Sequence, residues 1–173
     1  MRIPHTQEKR RMSHAAVTLW VMGLFIFAFI APARADVTIS ISDVTQMDWG
    51  TVQIPASGSE YISISPANSG ISGTGTVLFG FPSRGVYSLK SSGEGETAIT
   101  IDISNVSTGS SNLTIDNFTG IYSSYTINSF PSASLPLPST SGTNLYLGAR
   151  ETVNAAMTPT TLTPTFDIVV IVQ

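Results

Sequence analysis

Carboxylates are the only classical catalytic side chains in residues 36–173, because both histidines, His5 and His14, precede that stretch and the chain has no cysteine. Ser-His-Asp and Cys-His nucleophile systems are thereby excluded from it, as are zinc, copper, haem and iron–sulfur sites built on nitrogen and sulfur ligands. The closest-spaced acids are Glu94 and Glu96, in the turn-rich segment 91–97. Two such groups could act as acid and base on a glycosidic bond or supply oxygen ligands to calcium. The Gly-Glu-Gly-Glu spacing lacks the Asp/Asn pattern of calcium loops, and a solvated turn is the plainer reading. Asp48, beside Trp49 and Gly50, reads as a strand-end or turn residue. The expectation is a protein that is not an enzyme, with no cofactor and no metal.

Aromatic rings offer a second chemistry, since a ring face stacks on the apolar face of a sugar. Tyr122, Tyr125 and Phe130 lie close in sequence. With Ile121, Ser123, Tyr125 and Ile127 taken as the inward face of one strand, Tyr122 is left outside, and one exposed tyrosine needs no ligand. Asn105, Asn112 and Asn117 each open an Asn-x-Ser/Thr acceptor. Three such matches are close to chance at this hydroxyl content.

The elements that must hold these groups begin after a leader. Arg2, Lys9, Arg10 and Arg11 precede an uncharged, largely apolar run over residues 15–30, which is short for a membrane span. Ala33-Arg34-Ala35 follows, the small-x-small pattern of signal peptidase, so cleavage is expected before Asp36. Residues 1–35 read as a signal peptide and 36–173 as one exported domain, secreted to the periplasm, cell surface or medium; the alternative is an uncleaved anchor. The exported part keeps three bases, Arg84, Lys90 and Arg150, against ten acids, a formal net charge of −7. So acidic a surface repels phosphate backbones, which excludes nucleic acid, and the membrane is expected to be met only through the leader.

Of the 138 residues from Asp36 onward, 42 are Ser or Thr, and they alternate with aliphatic residues. Alternation of this kind marks half-buried strands. Val37, Ile39 and Ile41 share one face; the same period recurs at Ile62 and Ile64, at Ile99, Ile101 and Ile103, at Leu113 and Ile115, and at Leu145 and Leu147. Residues 75–81 and 166–172 are apolar on both faces and read as central strands, or as an edge that another chain covers. Gly, Pro, Asn and Ser clusters separate the runs, and no stretch carries a capped helical stripe. The fold class is therefore all-β, an immunoglobulin-like β-sandwich of about eight strands with little or no helix and no disulfides. Residues 131–138, rich in proline, read as a loop crossing between sheets.

Several segments then resemble a known family: Met47-Asp-Trp-Gly-Thr-Val52, Ala56-Ser-Gly-Ser-Glu-Tyr-Ile-Ser-Ile-Ser-Pro66, residues 73–80, Tyr87-Ser-Leu89, Leu113-Thr-Ile-Asp-Asn-Phe118 and Leu145-Tyr-Leu-Gly-Ala149. In that order they are similar to a bacterial secreted domain family of unknown function, close in layout to spore coat U and chaperone-usher pilin-like subunits. Trp49 stands where the family usually has Phe, and 158–164 is Pro/Thr-rich where it tends to have a Gly-Thr-Tyr turn. The resemblance implies a secreted β-sandwich without an assigned active site, sometimes associated with surface fibres.

The function expected from these readings is an extracytoplasmic structural subunit of a surface fibre or coat, with Val37, Ile39 and Ile41 as the candidate subunit-interface strand. Its partners would be copies of itself or other surface subunits, with a periplasmic chaperone and usher. A monomeric carbohydrate-binding or adhesin module is the alternative, and a carboxylate-based hydrolase the third. Alternation leaves open whether residues 37–42 pair within their own sheet or in a neighbour's.

Overall fold

Hydroxyl and β-branched residues in alternation favour the extended backbone, because their side chains fit a pleated surface with one face dry. The computed structural model describes residues 36–93 and 95–173; the expected signal peptide with Ala33 and Ala35, and Glu94, lie outside them. The described residues contain no helix. Their strands are β1 (Thr38–Thr45), β2 (Thr51–Val52), β3 (Ser59–Ile64), β4 (Ile71–Gly73), β5 (Val77–Phe79) and β6 (Gly85–Ser92). Then come β7 (Ala98–Ser107), β8 (Leu113–Tyr122), β9 (Tyr125–Ile127), β10 (Leu135–Pro136), β11 (Thr143–Asn154) and β12 (Thr165–Val172).

All pairings are antiparallel. Strands β1, β3, β4, β6, β8, β9 and β11 make a seven-stranded sheet, β10-β7-β12 a three-stranded one, and β2-β5 a small ribbon. The spine is β11. Its first half pairs with β6 (Leu147↔Gly85), its second half with β3 (Arg150↔Ser63), and β8 runs along the whole opposite edge. The exchange of partner occurs at Gly148, where the register with β8 also shifts. A Cβ on Gly148 would land on the Ile64 carbonyl oxygen and the Pro66 ring, so only glycine lets β11 pass this close to β3.

The core lies between the two larger sheets. Tyr87, Leu89, Tyr122, Leu145 and Leu147 from one meet Ile99, Ile101 and Leu135 from the other. On β12, Phe166, Ile168, Val170 and Val172 pack against this cluster. Phe166 sets its ring edge-to-face with Tyr87 at 6.2 Å and Phe118 at 5.2 Å. The three-stranded sheet covers only part of its larger partner. A second cluster, Trp49, Ile64, Ile115 and Ala149, sits over the other end of β11.

The alternating runs fall as the sequence indicates: Ile62, Ile64, Ile99, Ile101, Leu113, Ile115, Leu145 and Leu147 are all buried. The proline-rich segment does cross between sheets, and Leu135-Pro136 pairs with β7 at the sheet's edge, where proline's missing N–H is harmless. Three expectations are corrected. There are twelve short strands among the described residues rather than about eight, because bulges and turns divide several runs. Residues 75–81 are not a central strand; they form one side of the peripheral ribbon and leave Phe79 74% and Phe81 93% exposed. Tyr122 is fully buried rather than outside, its hydroxyl donating to the Pro136 carbonyl at 3.1 Å. The reason is a turn at Ser123-Ser124, with Ser123 at φ 54°, which pairs Tyr122 with Tyr125 and so resets the alternation. Tyr125, at the hairpin's end, is exposed instead.

Candidate functional site

Where the small sheet stops, its last strand leaves an edge. In the three-stranded sheet β12 is terminal, and in the seven-stranded sheet β1 is terminal. Between these edges lies a groove of about 1200 Å³. Its floor is the inner face of β8 and β11, with Leu113, Ile115, Glu151 and Val153. One wall is the end of β1 and the segment behind it, including Ile41, Met47 and Trp49; the other is the 157–165 loop and the start of β12. The first wall is pinned, since Asp48 and Ser83 exchange backbone hydrogen bonds at 3.0 and 2.8 Å.

The floor is apolar except at one point. Leu145, Leu147, Ala149, Glu151 and Val153 are every second residue of β11 and all point inward. Glu151 is therefore carried inside by strand parity, where it is paired across the sheet with Ile62 and Ile115. Only 6% of it is exposed, and its Oε2 is buried with no hydrogen-bond partner. Burial alone pushes its pKa up to about 7, because a charge removed from water is disfavoured. Tyr87, also on the lining, is pushed up to about 12, first by burial and then by nearby Asp43.

Four acids line the groove, Asp43, Asp48, Glu151 and Asp167, and among the described residues no base does. Three of the four have local partners. Asp43 accepts from Gln46 Nε2 at 3.4 Å, Asp48 from the Gly50 N–H at 2.8 Å, and Asp167 from Asn105 Nδ2 at 2.6 Å. Two of the three bases of residues 36–173 are engaged elsewhere. Arg150 holds Asp116 through Nε and Nη2 at 2.8 and 2.9 Å, while Arg84 donates to the Pro66 and Ala67 carbonyls and stands 4.0 Å over the Tyr146 ring.

The residues singled out from sequence are scattered by comparison. Asp48 is a turn residue, as expected. Glu96 accepts the Val37 N–H at 3.4 Å, and Asp36 is exposed. Ile39 and Ile41 belong to β1, which pairs with β6 of the same chain, and Val37 precedes that strand; Ile39 packs on the core and Ile41 lines the groove. Phe130 is half-buried. Glu151 was missed, although its place in the inward row Leu145, Leu147, Ala149 was visible in the alternation.

Residues 39–171 match the family described as a domain of unknown function, DUF4402. No curated protein and no solved structure matches.

Proposed function

Because the chain belongs to the DUF4402 family of domains of unknown function, its role has to be read from its own surface, and we propose a structural subunit of a bacterial surface fibre or coat. On this reading it is exported from the cytoplasm and joined to its neighbours by an extended strand laid into the groove, and it performs no catalysis. The observation that carries the reading is a groove with a largely apolar floor, flanked by the terminal strands of two sheets. Exposed edges are templates for another strand, and natural proteins commonly blunt them or cover them. Strand addition would supply main-chain hydrogen bonds to β12, while alternate side chains fill the floor. At about 1200 Å³ the groove exceeds the roughly 300–1,000 Å³ typical of small-molecule sites.

The exposed rim adds to this. Leu78 lines the groove, and Phe79 and Phe81 stand beside it in solvent. Apolar patches of that kind mark interaction surfaces. Ile41 would touch an incoming strand from the opposite side, so the N-terminal strand serves the interface as a wall. The layout is then that of an immunoglobulin-like, pilin-like domain, with a periplasmic chaperone and usher as its assembly partners. Phe79 and Phe81 also favour a second reading, a carbohydrate-binding or adhesin module, since exposed rings can stack on sugars.

Light scattering and electron microscopy over a concentration series test the proposal. Wild-type protein is expected to form oligomers or filaments, and the Ile39→Asp/Ile41→Asp variant to lose them. A wild type that stays monomeric at high concentration, with a variant that melts far below it, would defeat the fibre reading and leave β1 as an ordinary strand.

A further inference from the structure

The groove's chemistry says more than that a strand fits. A buried carboxyl oxygen without a partner is rare in native proteins and calls for a group to satisfy it. Glu151 Oε2 is such an oxygen, on the floor of an open groove rather than in a sealed core. The side chains around it, Leu113, Ile115 and Val153, are aliphatic and offer no donor. Whatever occupies the groove must bring one.

A hydroxyl would satisfy the oxygen, yet the field of the site selects a stronger donor. Asp43, Asp48 and Asp167 ring the same groove, and Glu60 follows Glu151's neighbour Ile62 along the inward row of β3. A cleft lined by one sign of charge concentrates the opposite sign. The usual objection to a buried ion pair is that both ions must be desolvated. Here the carboxyl has already given up its hydration on folding, so only the entering cation has still to be desolvated, and its charge favours the ionised form of the acid.

We propose that the groove is a binding site for an extended segment of a different polypeptide, with alternating apolar residues and one inward-facing lysine or arginine that pairs with Glu151. This rests on the strand-addition reading above and names its partner. Among the described residues a second copy of this chain offers no such base, so copies alone would fill the groove without the ion pair and more weakly than this partner. Its terminal strands β1 and β12 carry no base, Arg84 and Arg150 are held on the other side of the large sheet, and Lys90 lies within β6, between β1 and β11.

The test uses three labelled nine-residue peptides of alternating valine and threonine that differ only at the central inward position, which is lysine, methionine or aspartate. Their binding to the purified protein is followed by fluorescence anisotropy. The lysine peptide is expected to bind at least tenfold tighter than the methionine peptide, and the aspartate peptide weakest. In Glu151→Gln the lysine and methionine peptides should bind within about threefold of each other, whereas Asp116→Asn, which lies outside the groove and pairs with Arg150, should keep the preference. Absence of binding by all three peptides overturns the proposal, as does a lysine preference that survives Glu151→Gln or disappears in Asp116→Asn. The fibre reading is scored separately on the same preparation. Self-assembly without lysine preference sinks only this inference; capture of the lysine peptide by a protein that never assembles sinks only the fibre.

Discussion

The two ends of the spine strand β11 are built from similar residues and live in different surroundings. Around Leu145 and Leu147 both sheets are present, and every inward side chain is enclosed by Tyr87, Leu89, Ile99, Ile101 and Tyr122. Around Glu151 and Val153 the second sheet is missing, and the same inward row faces a groove. One strand thus continues from a closed core into an open one. The closed end supplies the stability, because enclosed apolar surface is what folding gains most from. The open end keeps apolar surface in reserve for contact with something else, and its one polar group, Glu151, lies buried in the floor beneath that contact.

Truncation should separate the ends most sharply. Leu147→Ala empties a fully enclosed position and is expected to destabilise by about 3–5 kcal/mol, a large part of a domain's usual 5–15 kcal/mol. Ile115→Ala on the groove floor should fall near 2 kcal/mol, because its neighbours already border open space and no new cavity is sealed in. Urea midpoints at a shared m-value measure both. Equal losses would mean that the groove closes on itself in solution, and the distinction between the two ends would be gone.

Titration sharpens the comparison next, since among the described residues the only large carboxyl shift lies at the open end. Glu151 ionises near pH 7 in the fold against an ordinary value of 4.5. The folded state therefore holds a proton that the unfolded chain releases. Stability is full below about pH 4.5 and declines as pH rises to about 7, by roughly 3 kcal/mol at 1.36 kcal/mol per unit. Glu151→Gln should remove that decline and raise the melting temperature at pH 8 by several degrees, with little change at pH 4. Calorimetry across this range checks it. A variant whose pH profile parallels the wild type would show that Glu151 is solvated and the groove floor wet.

Much of this was legible in the residues. Period-two alternation placed Ile62, Ile99, Leu113 and Leu145 inside, and the absence of any helical stripe fixed the all-β class. Alternation failed where a turn intervened: reading 121–127 as one strand put Tyr122 outside, whereas Ser123-Ser124 turns the chain and keeps Tyr122 in the core. It failed again at 75–81, where apolar composition alone cannot distinguish a buried strand from a peripheral ribbon. The groove could not be read at all, since it arises from the meeting of β1, β8, β11 and β12, which lie far apart in sequence. Glu151 could have been found, because parity alone places it inside.

Within the closed end, a smaller change probes how tightly the proline-rich crossing is fastened. The Tyr122 hydroxyl donates to the Pro136 carbonyl, and burial is the main reason that hydroxyl's pKa is raised. Tyr122→Phe keeps the ring and removes one hydrogen bond, so a loss of about 1 kcal/mol is expected in denaturant unfolding. A loss several times larger would show that the crossing, and β10 with it, detaches when this bond is cut.

The smallest effect is expected one residue from the largest pH effect. Arg150 and Glu151 are neighbours on β11 that face opposite sides of the sheet. Arg150 points outward to Asp116, with the two side chains 35% and 41% exposed, and its hydrogen bond to that carboxylate raises a pKa that already keeps it charged. Two parallel hydrogen bonds make the pair geometrically good, yet water screens it and competes for both partners. Asp116→Asn should therefore shift the melting temperature by about 2 °C or less, and raising the salt to about 1 M should reduce even that. Glu151→Gln changes the same kind of carboxylate to the same kind of amide and is expected to stabilise strongly at pH 8. A large destabilisation from Asp116→Asn would mean that the outer face of β11 is covered in solution, and that this surface joins the groove as part of an interface.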